Sequence, residues 1–489
     1  MRSKTRREFA ATVAVCALVV FAFFGARPLF DSALHRHGGD PYPATDFAIF
    51  YCAGAALDAG RNPYLLEPLR SCEHRIWTPG YLPASAAEPA ALPGYAVLPF
   101  ALLAKLPFPA AKFLWLVLSC VFFGVAVACG QRLSRMPAVA VFAILFVPVA
   151  MLNIRWGQLG PLVAAALFAS AVLARAGRER LAAVAAIAAT IEPHIGLPVL
   201  VALSWFAPRS RAVVIGGAAV LAVAHFWSLG LATGLRYFTQ VLPAMSHAEL
   251  LAADQYGTVW ALHAGGLSER YATLLAQPLY VAAIVCSLLV VAAYLRRFAD
   301  RSAIVAAPAA VALLGAPYLH DVELCVALIL PLAALARTSR RMAWSAIAVA
   351  LAIPWYAATH DTVIATAAIG SGALFLAIAA SPRGRLAITA ALACTLAGLV
   401  AILALRHLPV GHSAAVAFGN PGVLAAESWG AYLRSQPPAL ATGMQTAVPK
   451  ALTWVALLLA ALGAAQLSKR STDEPTHVEG TRRVLRRTG

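Results

Sequence analysis

The sequence predicts an all-α, polytopic integral membrane protein. Three observations carry that expectation. The chain has 489 residues, 61% hydrophobic and 12% charged, with a mean hydropathy of +0.76, which leaves too little polar surface to solvate a globule of this size. Apolar runs near the ~20 residues a helix needs to cross the hydrocarbon recur along its whole length. Lys and Arg fall in short clusters between those runs, as membrane orientation demands.

Taken in order, Arg2 to Arg7 open the chain and precede an apolar stretch with no small-x-small cleavage site before Asp31. This reads as an uncleaved first helix near 9–28 rather than a signal peptide. Further segments fall near 110–130, 137–152, 158–174, 212–231, 274–295, 302–317, 320–336, 342–358, 362–380, 386–404 and 450–467. Two shorter ones, 181–191 and 195–207, meet at Pro193, and 93–106, cut by prolines, reads as a re-entrant or interfacial piece. The total is about 12–14 segments. With the basic N-terminus inside, every short basic cluster lands on one face, including Arg175 to Arg180, Arg296 to Arg301 and Arg337 to Arg341. The membrane domain then spans 1–467, N-in and C-in, and the mixed-charge tail 468–489 reads as disordered and cytoplasmic.

The net charge of +17 follows from those clusters and gives no sign of nucleic acid. The eight Cys show no CxxC or metal-ligand spacing. Only Cys52 and Cys72 share an extramembrane loop, and although a disulfide is open to them there, two separate small apolar residues are the expectation. No phosphate-binding GxxxxGK[ST] loop, dinucleotide GxGxxG or zinc HExxH is present. No cofactor and no metal is expected.

The opposite face gathers the chemistry: the outer loops 31–92, 232–272 and 405–449, with the shorter breaks between segments. In the first loop a helical run follows Asp46 and stops at Gly60 and Asn62-Pro63-Tyr64, and it reads as a short amphipathic helix at the membrane surface. Asp46 suits either a helix cap or a base held at a lipid boundary. Asn153, Arg155 and Gln158 surround Trp156 at the outer end of two segments; amides and guanidinium suit sugar hydroxyls and phosphate, while an aromatic interfacial anchor accounts for the same composition. Glu192 and His194 flank Pro193 inside an apolar run, where ionisable groups are costly and a broken helix is tolerated if it lines a polar cavity. His320 opens a segment after Pro317, with Asp321 and Glu323 suited to a positive helix end. The stretch from Ser246 through Glu249, Asp254, Gln255 and Tyr256 reads as one amphipathic outer helix. An external enzyme has no nucleotide donor, so its activation energy must arrive with a lipid-linked phosphate.

In order, Asp46-Phe47 with Tyr51, Gly54, Gly60 and Asn62 to Tyr64, then LPGYAVLPF from Leu92, Asn153 to Gln158, the IEPHIGLP break, and Pro317 to His320 resemble glycosyltransferase family 87. The resemblance spans about 40–336 and implies the GT-C fold of polyprenol-phosphate-mannose-dependent α-mannosyltransferases. It implies Asp46 as catalytic base, His320 near the donor phosphate and Gln158 as a site amide; Arg155, Asn153, His194, Glu192, Tyr51 and Tyr64 are read from the residues themselves as the accompanying donor-phosphate or substrate contacts. The partners it implies are a polyprenyl-phosphate-sugar donor, a glycolipid or glycan acceptor, and membrane lipid. The chain departs from the family pattern at Ala91 to Gly94, where relatives carry Tyr-Pro-Pro, and at Glu192, where they often carry Lys. A transporter or flippase of lipid-linked sugar is the alternative that the break at Pro193 allows. A non-catalytic scaffold is the alternative that needs none of the outer polar groups.

Overall fold

A computed structural model describes residues 2–33, 46–76, 86–250, 252, 254–380, 422–435 and 444–469. The expected segment 386–404, most of the 405–449 loop and the tail from 470 onward lie outside the described residues. Among the described residues the protein is helical, and its extended backbone pairs only at two isolated bridges, Leu65 with Leu424 and Gln255 with His320.

Among the described residues, six helices are long and apolar enough to cross a membrane: Arg6–Phe24, Phe108–Ser134, Pro208–Glu249, Glu269–Phe298, Val363–Ala380 and Thr446–Gln466. The remaining apolar segments are shorter and broken. The first helix α1 (Arg2–Ala33) packs on α5 (Phe108–Ser134), which packs on α7 (Gly160–Arg175), which packs on α8 (Glu179–Ala188). Between α1 and α5 come α2 (Phe47–Asp58), α3 (Leu66–Ile76) and α4 (Gly94–Leu103). Pro137 starts α6 (Ala138–Leu145), which continues as wider π-helical turns over Phe146–Ile154.

Pro193 is the first residue of α9 (Pro193–Phe206), where a missing N–H costs nothing. The chain continues through α10 (Arg211–Arg236), α11 (Leu242–Glu249), α12 (Thr258–Ala264), α13 (Glu269–Phe298) and α14 (Ala303–Val311). A 3-10 stretch over Asp321–Leu328 leads into α15 (Ile329–Leu335), followed by α16 (Arg341–Ala352), α17 (Trp355–His360) and α18 (Thr362–Ala380). Last come α19 (Ala425–Ser435) and α20 (Met444–Lys469). Apolar side chains such as Val220, Val223, Trp227 and Leu231 on α10 stand exposed, as a lipid-facing helix requires.

Two expectations change here. The helix after Asp46 is not a surface amphipathic helix. Phe47, Ala48, Ile49, Phe50, Cys52 and Ala53 are buried, and α2 lies so close to α4 that a Cβ on Gly54 would collide with the Phe100 carbonyl. Cys52 and Cys72 are joined as a disulfide that ties α2 to α3. Their facing helices bring the Cα atoms to 5.7 Å, within bridging range, a proximity that spacing along the chain does not encode.

One end of the bundle is an ion-pair knot. The Asp300 carboxylate accepts from Arg175 Nε at 3.0 Å, Arg337 Nε at 2.9 Å and Ser302 Oγ at 2.8 Å, while Glu179 pairs with Arg301. Arg175 is the last residue of α7. The 16-residue rise of that helix, about 24 Å, separates this knot from the turn at Asn153 to Gln158.

Candidate functional site

At that other end, the chain leaves the π-helical turns and reverses at Gly157, whose φ of +81° is open to glycine and strained for side chains. The Gly157 carbonyl accepts from Trp115 Nε1 at 2.9 Å, which fixes the turn against α5. Asp46 is bound to this turn twice. Its backbone N–H donates to the Trp156 carbonyl at 2.7 Å, and its Oδ2 accepts from Gln158 Nε2 at 2.6 Å. Asp46 directly precedes α2, yet its side chain makes no capping bond to that helix. The carboxylate is therefore directed by an amide 112 residues away rather than by its own helix.

A second wall comes from two extended stretches. Tyr256 N donates to the Leu319 carbonyl, Thr258 N to Ala316 O at 2.8 Å and Asp321 N to Asp254 O at 3.2 Å. Gln255 Oε1 accepts from the N–H groups of Leu319 at 2.7 Å and Gly257 at 3.2 Å. A Cβ on Gly257 would collide with the Pro317 carbonyl oxygen, so this approach needs glycine. The single amphipathic helix expected from Ser246 onward is therefore two helices, α11 and α12, parted by a paired extended segment. Its backbone bonds go to the Ala316–Asp321 stretch, a partner that periodicity cannot reveal.

His320 sits at the head of that pairing. Its Nε2 stands 3.3 Å from Glu249 Oε2 and 3.5 Å from Gln255 Nε2, and its backbone N–H donates to Glu323 Oε2 at 2.8 Å. Trp429 of α19 donates to the other Glu249 oxygen at 2.8 Å. The Pro193 break supplies a third wall: His194 Nε2 is 3.1 Å from Glu323 and its Nδ1 is 3.9 Å from Glu192. Among the described residues, Glu192, His194 and Glu323 are the group whose ligand-type atoms converge, all within 4.8 Å. Attraction between one imidazole and two carboxylates accounts for that convergence.

These walls enclose a cavity of about 1360 Å³ lined by Asp46, Glu88, Arg155, Gln158, Glu192, His194, Glu249, Asp254, His320 and Glu323, with apolar flanks including Leu197, Leu221 and Phe226. The volume and the mixed lining suit an amphiphile with a polar head. Burial pushes the Asp46 carboxyl up to about 7; Gln158 and His320 oppose the rise and Asp254 adds to it. A carboxyl poised there takes and returns protons near neutral pH. Glu88 is raised well above the ordinary carboxylate range, first by burial and then by Asp46 and its other acidic neighbours. Glu73 holds Glu88 in place by accepting from its N–H at 3.0 Å.

Of the residues singled out in the sequence, Asp46, His320, Arg155, Gln158, His194 and Glu192 reach the cavity. Arg155 meets Asp361 at 2.9 Å and packs over Trp156. Asn153, Tyr51 and Tyr64 do not line it. Asn153 is 0% exposed and donates to the carbonyls of Pro148 and Val322, both at 2.7 Å, joining two chain breaks. Tyr51 donates to Leu106 O at 2.9 Å and Tyr64 to Leu92 O at 2.8 Å. All three are structural ties: the Asn153 amide nitrogen and the Tyr51 and Tyr64 hydroxyls each donate to backbone carbonyls. Glu88, Glu249, Asp254 and Glu323 also enter the cavity, although the sequence offers Glu88 only as loop charge, Glu249 and Asp254 only as polar groups of an amphipathic outer helix and Glu323 only as helix-end charge; their one shared signal is acidity on the outer face.

The sequence model described as glycosyltransferase family 87 matches residues 93–320, which takes in the Pro93 loop, the Gln158 turn, the Pro193 break and His320, and leaves Asp46 outside. No curated protein and no solved structure matches the chain.

Proposed function

We propose that this multi-pass membrane protein is a glycosyltransferase of family 87 that moves a hexose from a polyprenyl-phosphate-sugar to a lipid-linked or cell-envelope glycan acceptor on the outer face of a bacterial cytoplasmic membrane, with Asp46 as general base. Mannose is the sugar that the family resemblance implies. The observation that carries this reading is the convergence of Asp46, Gln158 and His320, 274 residues apart from first to last, on one cavity with apolar flanks.

In the proposed reaction Asp46 takes the proton of an acceptor hydroxyl. That oxygen forms a bond to the anomeric carbon as the bond from carbon to phosphate oxygen breaks on the opposite face. The electron pair leaves with the polyprenyl phosphate, and the configuration at carbon inverts. His320, held between Glu249 and Glu323, would donate to the leaving phosphate as its charge grows. Arg155, oriented by Asp361, would face the same charge. The lipid tail would run along the apolar flank between α9 and α10. No step in this scheme uses a metal or cofactor. The Cys52–Cys72 bridge supports an outer position for the first loop, because disulfides persist in oxidising compartments.

The test is transfer of radiolabelled sugar from polyprenyl-phosphate-mannose in membranes carrying matched amounts of wild type, Asp46→Asn or His320→Ala. A labelled glycolipid or glycan from wild type that Asp46→Asn fails to make is the expected result. Undiminished transfer by Asp46→Asn would remove the base assignment. Movement of substrate across the membrane without covalent transfer would replace this reading with the flippase.

A further inference from the structure

Lys450 is the anomaly among the large buried side chains. It lies near the start of α20, within an apolar segment and beyond the family match, and it is 0% exposed. Taking an ammonium out of water costs several kcal/mol, and a Met of similar length would fill the same space at no such penalty. The cation is retained for what it holds.

Its surroundings are built for a cation. Lys450 Nζ stands 3.7 Å from the centroid of Trp260, 5.4 Å from that of Tyr256 and 5.5 Å from that of Tyr356. Aromatic faces are the apolar surface that attracts an ammonium. Asp254 and Asp321 are its carboxylate neighbours. Its hydrogen bond goes to the Gln255 carbonyl at 2.7 Å. Gln255 is the hub of the extended pairing: its side chain takes the N–H groups of Leu319 and Gly257 and lies against His320. The cage closes on the same segment, since Tyr256 N donates to Leu319 O and the Tyr256 hydroxyl accepts from Tyr356 N at 3.3 Å.

We propose that Lys450 is a positioning residue: its ammonium, seated in the Tyr256–Trp260–Tyr356 cage, holds the Gln255 backbone and thereby sets His320 toward the cavity. This rests on the transferase reading for its consequence and on geometry alone for its placement. The C-terminal helix α20 is then part of the site, although its sequence shows only an apolar run. A group that sets the geometry without touching substrate acts on turnover, and a displacement near 1 Å can lower it about 100-fold.

The experiment is Lys450→Met and Lys450→Arg in the full chain, read by amide hydrogen exchange and by transfer kinetics. Lys450→Met is expected to raise exchange at residues 255–258 and 319–321 while α5 and α7 stay protected. The kcat should fall by about 100-fold with the donor KM little changed. Lys450→Arg, which keeps a cation and a donor, should recover most of both. Unchanged exchange in the two segments would overturn the proposal, and so would exchange that rises throughout the bundle, since Lys450 would then be only a general structural support. A fall in activity that Lys450→Arg does not recover would likewise defeat the role of the cation. If wild type transfers no sugar, the transferase reading fails, while the exchange data still decide the placement. Should Lys450→Met not be isolable, Lys450→Gln, with a donor and no charge, is read by the same two measurements.

Discussion

Asp300 and Asp46 are the same residue type at opposite ends of one bundle, and their partners make them different groups. Asp300 is surrounded by Arg175, Arg337 and the Ser302 hydroxyl and N–H. Burial alone would raise its carboxyl, yet Arg175 and these bonds hold it below the usual carboxylate range. Asp46 has one neutral donor to its carboxylate, Gln158, and burial lifts it to about 7. A saturated carboxylate has no lone pair left for chemistry and serves as a fastener. A carboxylate left short of partners remains able to take a proton.

The comparison breaks most visibly at Asp46. Asp46→Asn should lower transfer by about 10²–10⁴-fold with the fold intact, measured as labelled product per folded protein. In wild type, kcat/KM should rise as pH increases through about 7, because the base works as the carboxylate and burial has moved its titration there. An acid limb near 4 would mean that another group carries the proton. Replacement of His320 by Ala should follow, at about 10²-fold in kcat, if it meets the developing phosphate charge.

Asp300→Asn should do the reverse. Leaving Arg175 and Arg337 without their buried partner should destabilise by about 3 kcal/mol, seen as a lower unfolding midpoint and yield. Activity per folded molecule should stay near that of wild type. A selective loss of turnover there would erase the distinction between the two ends. The smallest effect is expected for Gln158→Leu, about tenfold in kcat/KM, within what one charge-assisted bond supplies. Since the Gln158 bond lowers the Asp46 titration, its removal should move the acid limb to higher pH. A limb that moves down would show that the bond does not favour the carboxylate.

Much of this architecture is legible in the order of the residues. Hydropathy determines that the chain enters a membrane, because nothing else accommodates so much apolar surface. Prolines and glycines announce the breaks at Gly60, Gly157 and Pro193, since each restricts or frees local backbone. Gln158 stands out as a polar group at one of those breaks, Asp46 and His320 as polar groups at the starts of apolar runs. The family resemblance implies the roles proposed for them, and the sequence by itself does not separate a cap from a base at Asp46.

Only the tertiary structure decides which polar groups share a space. By residue type Asn153 suits a sugar as well as Gln158, five residues on, yet one is spent on Pro148 and Val322 and the other is turned toward Asp46. Tyr51 and Tyr64 are lost to backbone carbonyls in the same way, while Glu88 is gained. The reason is that hydropathy and turn chemistry are local, determined by a residue and its chain neighbours. The partner of a buried polar group is chosen by packing between segments far apart in the chain, and it is the partner that fixes whether the group is tied down or left able to react.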